Sequence, residues 1–250
     1  MLHIASESRA YDAAIRALAD AALAAAELDA WLIVGGHMVN LHVLRAGIGL
    51  PTRATRDADL AVELLAIRDS PLLARLRELG YRNVQSSSRF DLRTAGGTAA
   101  IDLLVPSYSN RHRPNMDAGA ISVDGFPALH LALARAPIVV DLNARLTDGT
   151  RIETRVNIPD VLSAIALKTF AYAERFAPRD AEDLHGLLEV AQSEGLTAEA
   201  WPDQTSFTVA ARKLSFFFDA PGHALITATR SPQQRVRLRA LVRSLVGRSP

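Results

Sequence analysis

The chain has no cysteine, which excludes disulfides, thiolate metal sites and cysteine nucleophiles together. Excess charge of one sign is missing too. With 28 Lys and Arg against 27 Asp and Glu, the formal net charge is +1, so no global field draws the protein to nucleic acid or a membrane, and any basic surface is local. Lysine is nearly absent: only Lys168 and Lys213 occur. In so arginine-biased a chain, a lysine hints that a compact ammonium is wanted at that position. Long apolar runs are also lacking. The most apolar early stretch, "AALAAAELDAWLIVGG", is broken by Glu27 and Asp29, and is too short and too charged for a bilayer span. No basic-then-apolar leader precedes it, so the expectation is a cytoplasmic enzyme or binding protein with no membrane partner. There is no internal repeat and no low-complexity linker. What remains is an ordinary globular composition, 49% hydrophobic and 22% charged, over a length that suits one large domain or two small ones.

Residues 8–29 are alanine-rich, and Tyr11, Ile15, Leu18, Ala22 and Ala25 keep helical offsets, which predicts a helix. "WLIVGG" (31–36) predicts a buried strand running into a turn, and "HMVNLHVLRAG" (37–47) a helix closed by Gly47. "DADLAVEL" alternates as a strand. "SPLLARLRELG" (70–80) reads as a helix with Ser70 as N-cap and Pro71 at its first position. "RFDLRTAGGTAAIDLLVP" (89–106) reads as a hairpin turning at Gly96–Gly97. "SYSNRHRPN" (107–115) is expected to be a loop, followed by short strands around a turn at Asp148–Gly149. From Ile158 the pattern becomes helical, with Pro178 between two helices and further helices over 204–219 and 231–247. The expected organisation is a mixed α/β domain over 1–157 and a helical domain over 158–250.

Chemistry concentrates in "PTRATRDADLAVELL" (51–65). Aspartate is depleted in strands, yet Asp57 and Asp59 sit two apart at the head of one. Side chains two apart share a strand face, so both point one way while Ala58 and Leu60 face the core. Asp102 stands likewise in "AAIDLLV", with Ile101 and Leu103 on the opposite face. If the two strands are neighbours, three carboxylates meet on one patch of sheet. Such an oxygen-rich patch suits Mg²⁺ or Mn²⁺ holding phosphates, and a carboxylate pair of this kind serves in-line phosphoryl chemistry. Gly35 and Gly36 follow a strand and open a helix, where backbone N–H groups and the positive helix end would face a triphosphate.

The motifs "GGHMVNLHVLRAG", "TRATRDADL" and "AIDLLV", in that order, resemble the nucleotidyltransferase core of the DNA polymerase beta superfamily. The resemblance implies an α+β fold, a mixed sheet flanked by helices and followed by a helical half. It also implies Gly35 and Gly36 at the nucleotide, and Asp57, Asp59 and Asp102 as catalytic metal ligands. The 21 positions from Gly36 to Asp57 exceed the spacing of minimal members and make "AGIGLPTRA" an extended loop, a candidate lid or acceptor contact. Further on, "LSAIALKTFAYAERFAPRDAEDLHGLL" resembles a segment of AbiEii-type nucleotidyltransferases, toxins of abortive-infection and MenA–MenT-like toxin–antitoxin pairs. Lys168, Arg175, Arg179, Asp180 and Asp183 match that segment. The two resemblances together cover roughly residues 30–105 and 157–190.

With Tyr172, Arg175 and Arg179 at helical offsets, Lys168 would head a stripe of positive charge that neutralises the triphosphate. Asp180 and Asp183 either position Lys168 or cap the next helix, and Arg175 and Asp180 join the candidate nucleotide contacts. Arg53 and Arg56 are either phosphate contacts or counter-charges for the carboxylates. Among other candidates, His37 is either a nucleotide contact or a helix-start polar group. His37 and His42 are wrongly spaced to share a helix face. Arg111, His112 and Arg113 are either an acceptor contact or a solvated loop. Ser86, Ser87 and Ser88 lack the context of a hydrolase nucleophile. "QQRVRLRALVRSLVGR" is a basic amphipathic helix that either meets RNA or a partner, or covers the helical half with its Leu and Val face.

Three functions follow as expectations. The first is a Mg²⁺-dependent nucleotidyltransferase that moves a nucleoside monophosphate from ATP, CTP, GTP or UTP to an acceptor hydroxyl; the family resemblance implies a tRNA 3′ end as acceptor and an antitoxin partner. The second is the same reaction on an aminoglycoside- or lincosamide-type antibiotic, and the third a non-catalytic nucleotide-binding partner protein. Arginines around the cleft favour RNA, whereas extra Asp and Glu favour a cationic drug.

Overall fold

Alanines 13, 14, 17, 21, 22, 24 and 25 give helix α1 (Arg9–Ala25) high propensity and a face small enough to close on a sheet. Ser8 caps it, its hydroxyl accepting the Tyr11 N–H at 3.2 Å. The helix is shorter than the expected 8–29, because a turn closed by the Leu28 N–H on the Ala25 carbonyl takes over at its end. The computed structural model describes residues 1–69, 71–219 and 231–247. Two expectations therefore fall outside the described residues: Ser70 as an N-cap, and Arg248 at the end of the terminal basic helix.

The chain divides into two compact units, one of residues 1–41 and 53–160, the other of residues 42–52 and 161–250. The first is α+β. Strands β1 (Leu2–Ala5), β2 (Trp31–Val34), β3 (Asp57–Val62), β4 (Arg82–Asn83), β5 (Arg89–Thr94), β6 (Gly97–Pro106), β7 (Arg113–Asp117), β8 (Ser122–Phe126), β9 (Ile138–Arg145) and β10 (Arg151–Ile158) form two sheets. The larger runs β2-β3-β6-β5-β4, with β8 joining the far end of β6 and β7 pairing β8. It is mixed: β3 and β8 run parallel to β6, and the other pairings are antiparallel. The smaller has the order β1-β9-β10. Short helices α3 (Leu64–Asp69), α4 (Leu72–Glu78) and α5 (Leu129–Leu133) fill the connections. Helix α1 packs across β3 and β6, over a face made of Ala58, Leu60, Ile101, Leu103 and Phe90, all buried.

Two sequence expectations change here. The 107–115 segment is not all loop, since Arg113 opens β7 and pairs with Gly125 of β8; a proline at 114 and the bulge between Arg113 and Met116 hide the strand pattern. β1 has no sequence signal of its own, being four residues held parallel to β9.

Helix α2 (Gly35–Ala46) begins in the first unit, and its last residues belong to the second. The second unit is helical: α6 (Val161–Arg175), α7 (Pro178–Ser193), a short 3₁₀ turn at Ala198–Ala200, α8 (Thr205–Leu214), a π turn at Ser215–Asp219, and α9 (Pro232–Val246). The expected helix over 204–219 is thus two pieces. Pro178 stands at the first position of α7, where its missing N–H costs nothing. Leu184, Leu187, Leu188, Phe207, Phe218, Leu238, Leu241 and Val242 make the core. The basic terminal helix therefore covers its own unit. Arg237 pairs with Glu189, Arg243 with Asp219 at 2.5 Å, and Trp201 Nε1 donates to the Leu245 carbonyl at 2.8 Å. Among the described residues, no helix is long and apolar enough to cross a membrane.

Candidate functional site

The period of two in β3 and β6 sends Asp57, Asp59 and Asp102 to one face of the large sheet, and register then brings them side by side. β3 and β6 are neighbours, with Asp59 directly opposite Asp102. On the other side of β6, Arg89 of β5 is opposite Asp102, and Asp91 is opposite Ala100, which in turn faces Asp57. Asp124 of β8 pairs with Leu104, two residues beyond Asp102 and on the same face. One sheet surface thus carries these five carboxylates over four strands, with the Arg89 guanidinium among them.

Burial pushes the Asp102 carboxyl above the ordinary range; Arg89 opposes this, while Asp57, Asp91 and Asp124 reinforce it. Burial acts on Arg89 as well, but Asp102, Asp91 and Asp57 outweigh it and raise its pKa. Arg89 was not among the residues singled out from the sequence. Its Nε donates to Asp91 Oδ1 at 3.0 Å, its Nη1 donates to Asp102 Oδ2 at 3.0 Å, and the same Nη1 lies 3.6 Å from Asp57 Oδ2. The available signal was "RFD", a cation and a carboxylate two apart on a strand, and its meaning depends on which strand lies alongside.

The glycine turn stands against these carboxylates. Gly35 has a φ of +65°, and a Cβ placed on it would lie 1.7 Å from Asp59 Oδ2. A Cβ on Gly36 would come within 2.7 Å of both Arg53 Nη2 and Thr55 Oγ1. Both glycines are therefore required by close approach, Gly35 also by its backbone. The segment leading into β3 is clamped to α2 by Asn40, whose Nδ2 donates to the Arg53 carbonyl at 2.8 Å and whose Oδ1 accepts the Arg53 N–H at 3.2 Å. Arg53, rather than Arg56, is thus the arginine set over the helix start; Arg56 is exposed. The first turn of α2 has N–H groups with no intrahelical acceptor, so a helix end, a guanidinium and the Thr55 hydroxyl meet around Gly36.

His37 follows in the same turn and is buried. Its pKa is pushed down to about 4, mainly by burial and further by Arg53, with Asp57 acting in the opposite direction. The ring is neutral near pH 7, and its Nε2 is buried without a hydrogen-bond partner. His112 sits close to another of the site's carboxylates, its Nε2 3.7 Å from Asp124 Oδ2 and its ring 4.9 Å from that of Phe126. The serine run makes a turn: Ser87 Oγ donates to the Val84 carbonyl at 2.6 Å and accepts the Arg89 N–H at 3.2 Å.

Among the described residues, no three His, Asp or Glu side chains converge as a ready ligand set for a metal ion. The donor chemistry still fits a hard divalent cation. Asp57 Oδ2 and Asp102 Oδ2 already share one cationic nitrogen, Arg89 Nη1, and carboxylate oxygens are the ligands Mg²⁺ and Mn²⁺ prefer.

The second unit treats the remaining candidates differently. Lys168 is buried, its Nζ 2.7 Å from Asp183 Oδ2 and 3.7 Å from Asp180 Oδ1, and both carboxylates are buried with it. Arg175 grips Asp180 with two bonds, Nε to Oδ2 at 2.5 Å and Nη2 to Oδ1 at 2.7 Å. Tyr172 is buried against Phe176, Phe217 and Phe218. Lys168, Tyr172, Arg175 and Arg179 therefore do not form a continuous cationic stripe. An unpaired ammonium at that depth would be costly, and the two aspartates of α7 neutralise it.

Neither a family model nor a curated protein sequence matches the chain. Its fold matches that of an antigenic nucleotidyltransferase-like protein from Paracoccidioides brasiliensis, with a TM-score of 0.50 and 15% identity over 97% of this chain and 95% of that one. The antibiotic-resistance factor ANT(2'')-Ia in solution aligns over 92% of this chain and 91% of its own, at 15% identity and a TM-score of 0.33. The chain thus has a nucleotidyltransferase-like fold, α+β with mixed sheets flanked by helices. At this identity the likeness speaks to the fold and not to a reaction.

Proposed function

We propose that this protein is a divalent-metal-dependent nucleotidyltransferase, which joins a nucleoside monophosphate from an NTP to an acceptor hydroxyl and releases pyrophosphate. The observation that carries this reading is the meeting of Asp57, Asp59 and Asp102 on one sheet face with the glycine-opened start of α2. In it, the N–H groups at Gly35 and Gly36 and the Arg53 guanidinium hold the phosphates. Asp57, Asp59 and Asp102 would hold Mg²⁺ or Mn²⁺, Asp59 from beside the glycine turn. The ion supplies positive charge against the triphosphate and the leaving pyrophosphate. Asp102 is either a metal ligand or the base that takes the proton from the attacking hydroxyl as its oxygen bonds to the α-phosphorus and the bond to pyrophosphate breaks. The geometry favours Lys168 as a structural cation of the helical unit rather than a phosphate ligand, because both its carboxylate partners are buried beside it.

Two acceptors have support. The resemblance of residues 168–184 to toxin nucleotidyltransferases, with the arginines at 53, 56, 111 and 113, favours RNA such as a tRNA 3′ end and a role in growth arrest relieved by an antitoxin. Asp91 and Asp124, which extend the acidic face, favour a small cationic acceptor of the antibiotic type. The test is incubation with each α-labelled NTP and Mg²⁺, with total RNA in one arm and a panel of aminoglycosides and lincosamides in the other. Label transferred in either arm and reduced to background by Asp57→Asn is the expected result. No transfer to any RNA, protein or small molecule would sink the proposal.

A further inference from the structure

Arg89 has no part in the reaction as proposed, yet its guanidinium meets three of the carboxylates on the site's sheet face. Its backbone is fixed on both sides: the carbonyl accepts from Asn83 Nδ2 at 3.2 Å and from the Val84 N–H at 2.9 Å, and its N–H is held by Ser87 Oγ. The guanidinium divides its nitrogens. Nε is spent on Asp91, while Nη1 alone lies between Asp57 Oδ2 and Asp102 Oδ2. Both of those carboxylates are assigned above to the divalent ion. The rigid fork of a guanidinium permits this division, with one nitrogen anchored and another presented elsewhere.

We propose that Arg89 is a tethered resident cation of the carboxylate pair, and that a divalent metal ion must compete with its Nη1 for Asp57 and Asp102. The inference rests on the nucleotidyl-transfer reading of the site. The three carboxylates that Arg89 meets, Asp57, Asp91 and Asp102, would repel one another here without a cation among them. Arg89 supplies one, and Asp91 keeps it in reach after Nη1 lets go. Metal binding then exchanges one counter-charge for another, so Arg89 weakens metal affinity while holding the ligands together when metal is scarce.

The test is Mn²⁺ titration of the full chain without nucleotide, reading free Mn²⁺ by electron paramagnetic resonance, with thermal melts alongside. Arg89→Gln is expected to bind Mn²⁺ roughly fivefold tighter, the scale of one partly exposed ion pair, and to melt lower than wild type in metal-free buffer. Arg93→Gln, which removes an exposed charge from the same strand, should leave Mn²⁺ affinity close to wild type. Equal or weaker Mn²⁺ binding by Arg89→Gln overturns the inference. Should that variant not fold, Arg89→Lys decides in its place: an ammonium keeps the charge but cannot hold Asp91 and still reach the other two, so it should bind roughly twofold tighter, and unchanged or weaker binding again counts against the inference. Asp57→Asn separates the two readings. If it loses Mn²⁺ binding while the Arg89 variants do not tighten it, the metal site stands and the competition falls. If it binds Mn²⁺ like wild type, the metal site itself falls, and the inference with it.

Discussion

Gly35 shows how much one residue carries. Its left-handed backbone would cost a residue with a Cβ roughly 1–2 kcal/mol, and that Cβ would coincide with Asp59 Oδ2. Gly35→Ala is therefore expected to lower stability by at least that amount in urea denaturation. Because it also pushes a proposed ligand aside, it should cut nucleotidyl transfer roughly a hundredfold. Lys168 sits at the opposite extreme of burial. Removing its ammonium takes a buried cationic partner from both Asp183 and Asp180, so Lys168→Ala should cost roughly 3–5 kcal/mol. A variant as stable as wild type but unable to bind NTP would return Lys168 to the triphosphate. The sequence could single out Gly35, Asp57 and Lys168, because residue type and spacing are local facts. It could not distinguish Arg53 from Arg56: the choice is made by Asn40, thirteen positions away, which fixes the Arg53 backbone to α2.

At the scale of elements, most of the fold was legible, and the misreadings were one end of α1, the strands β1 and β7, and the division of 204–219. β3, β6, α2 and α7 announce themselves through alternation, glycines and Pro178, whereas β1 and β7 exist because a neighbour pairs with them. The same dependence on neighbours makes the contact between α7 and α9 sensitive to acid. Burial lowers the His185 pKa below its ordinary 6.5, partly opposed by Glu189. Glu189 is itself held below 4.5, first by its hydrogen bond from Arg237. The folded state favours neutral His185, while the unfolded chain takes up a proton near pH 6.5, so stability is present above that pH and is lost as pH falls toward the folded value. Glu189 adds a second loss below about pH 4.5, where the unfolded carboxylate protonates first. The urea midpoint should fall between about pH 7 and pH 5, and the fall should shrink in His185→Asn. An identical fall in that variant would place the titration elsewhere.

Over the whole molecule, the division of the chain is not a single cut. Residues 42–52 belong with 161–250, and Arg45 Nη2 pairs with Glu194 Oε1 at 2.8 Å. A fragment starting at 158, the boundary suggested by the change from strand to helical pattern, lacks that segment. Expressed alone, it should show helical circular dichroism but a broader, lower melt than the same unit in the intact chain. A sharp melt at the intact value would show that 42–52 contributes nothing to it. Composition had no access to this, since a stretch of chain joins a unit through contacts distant in sequence. What composition does state is the balance of charge: with a net charge of +1, no excess of one sign builds a dominant field. The acidic face of the sheet, the buried lysine in the helices and the arginine over α2 are local instances of that balance.

The sequence by itself determined which residues share a strand face, where the glycines break the backbone, and that three aspartates stand in otherwise apolar strands. These follow from periods of two and 3.6 and from the missing Cβ of glycine, all of which act within a few residues. Only the tertiary structure decided what those aspartates meet. The pairing of β3, β6 and β5 sets Asp59, Asp102 and Arg89 in one row and puts a guanidinium among the carboxylates. The pairing of α6 with α7 buries Lys168 between Asp180 and Asp183. Charges attract according to distance in space, and no spacing along the chain states which strand will lie beside which.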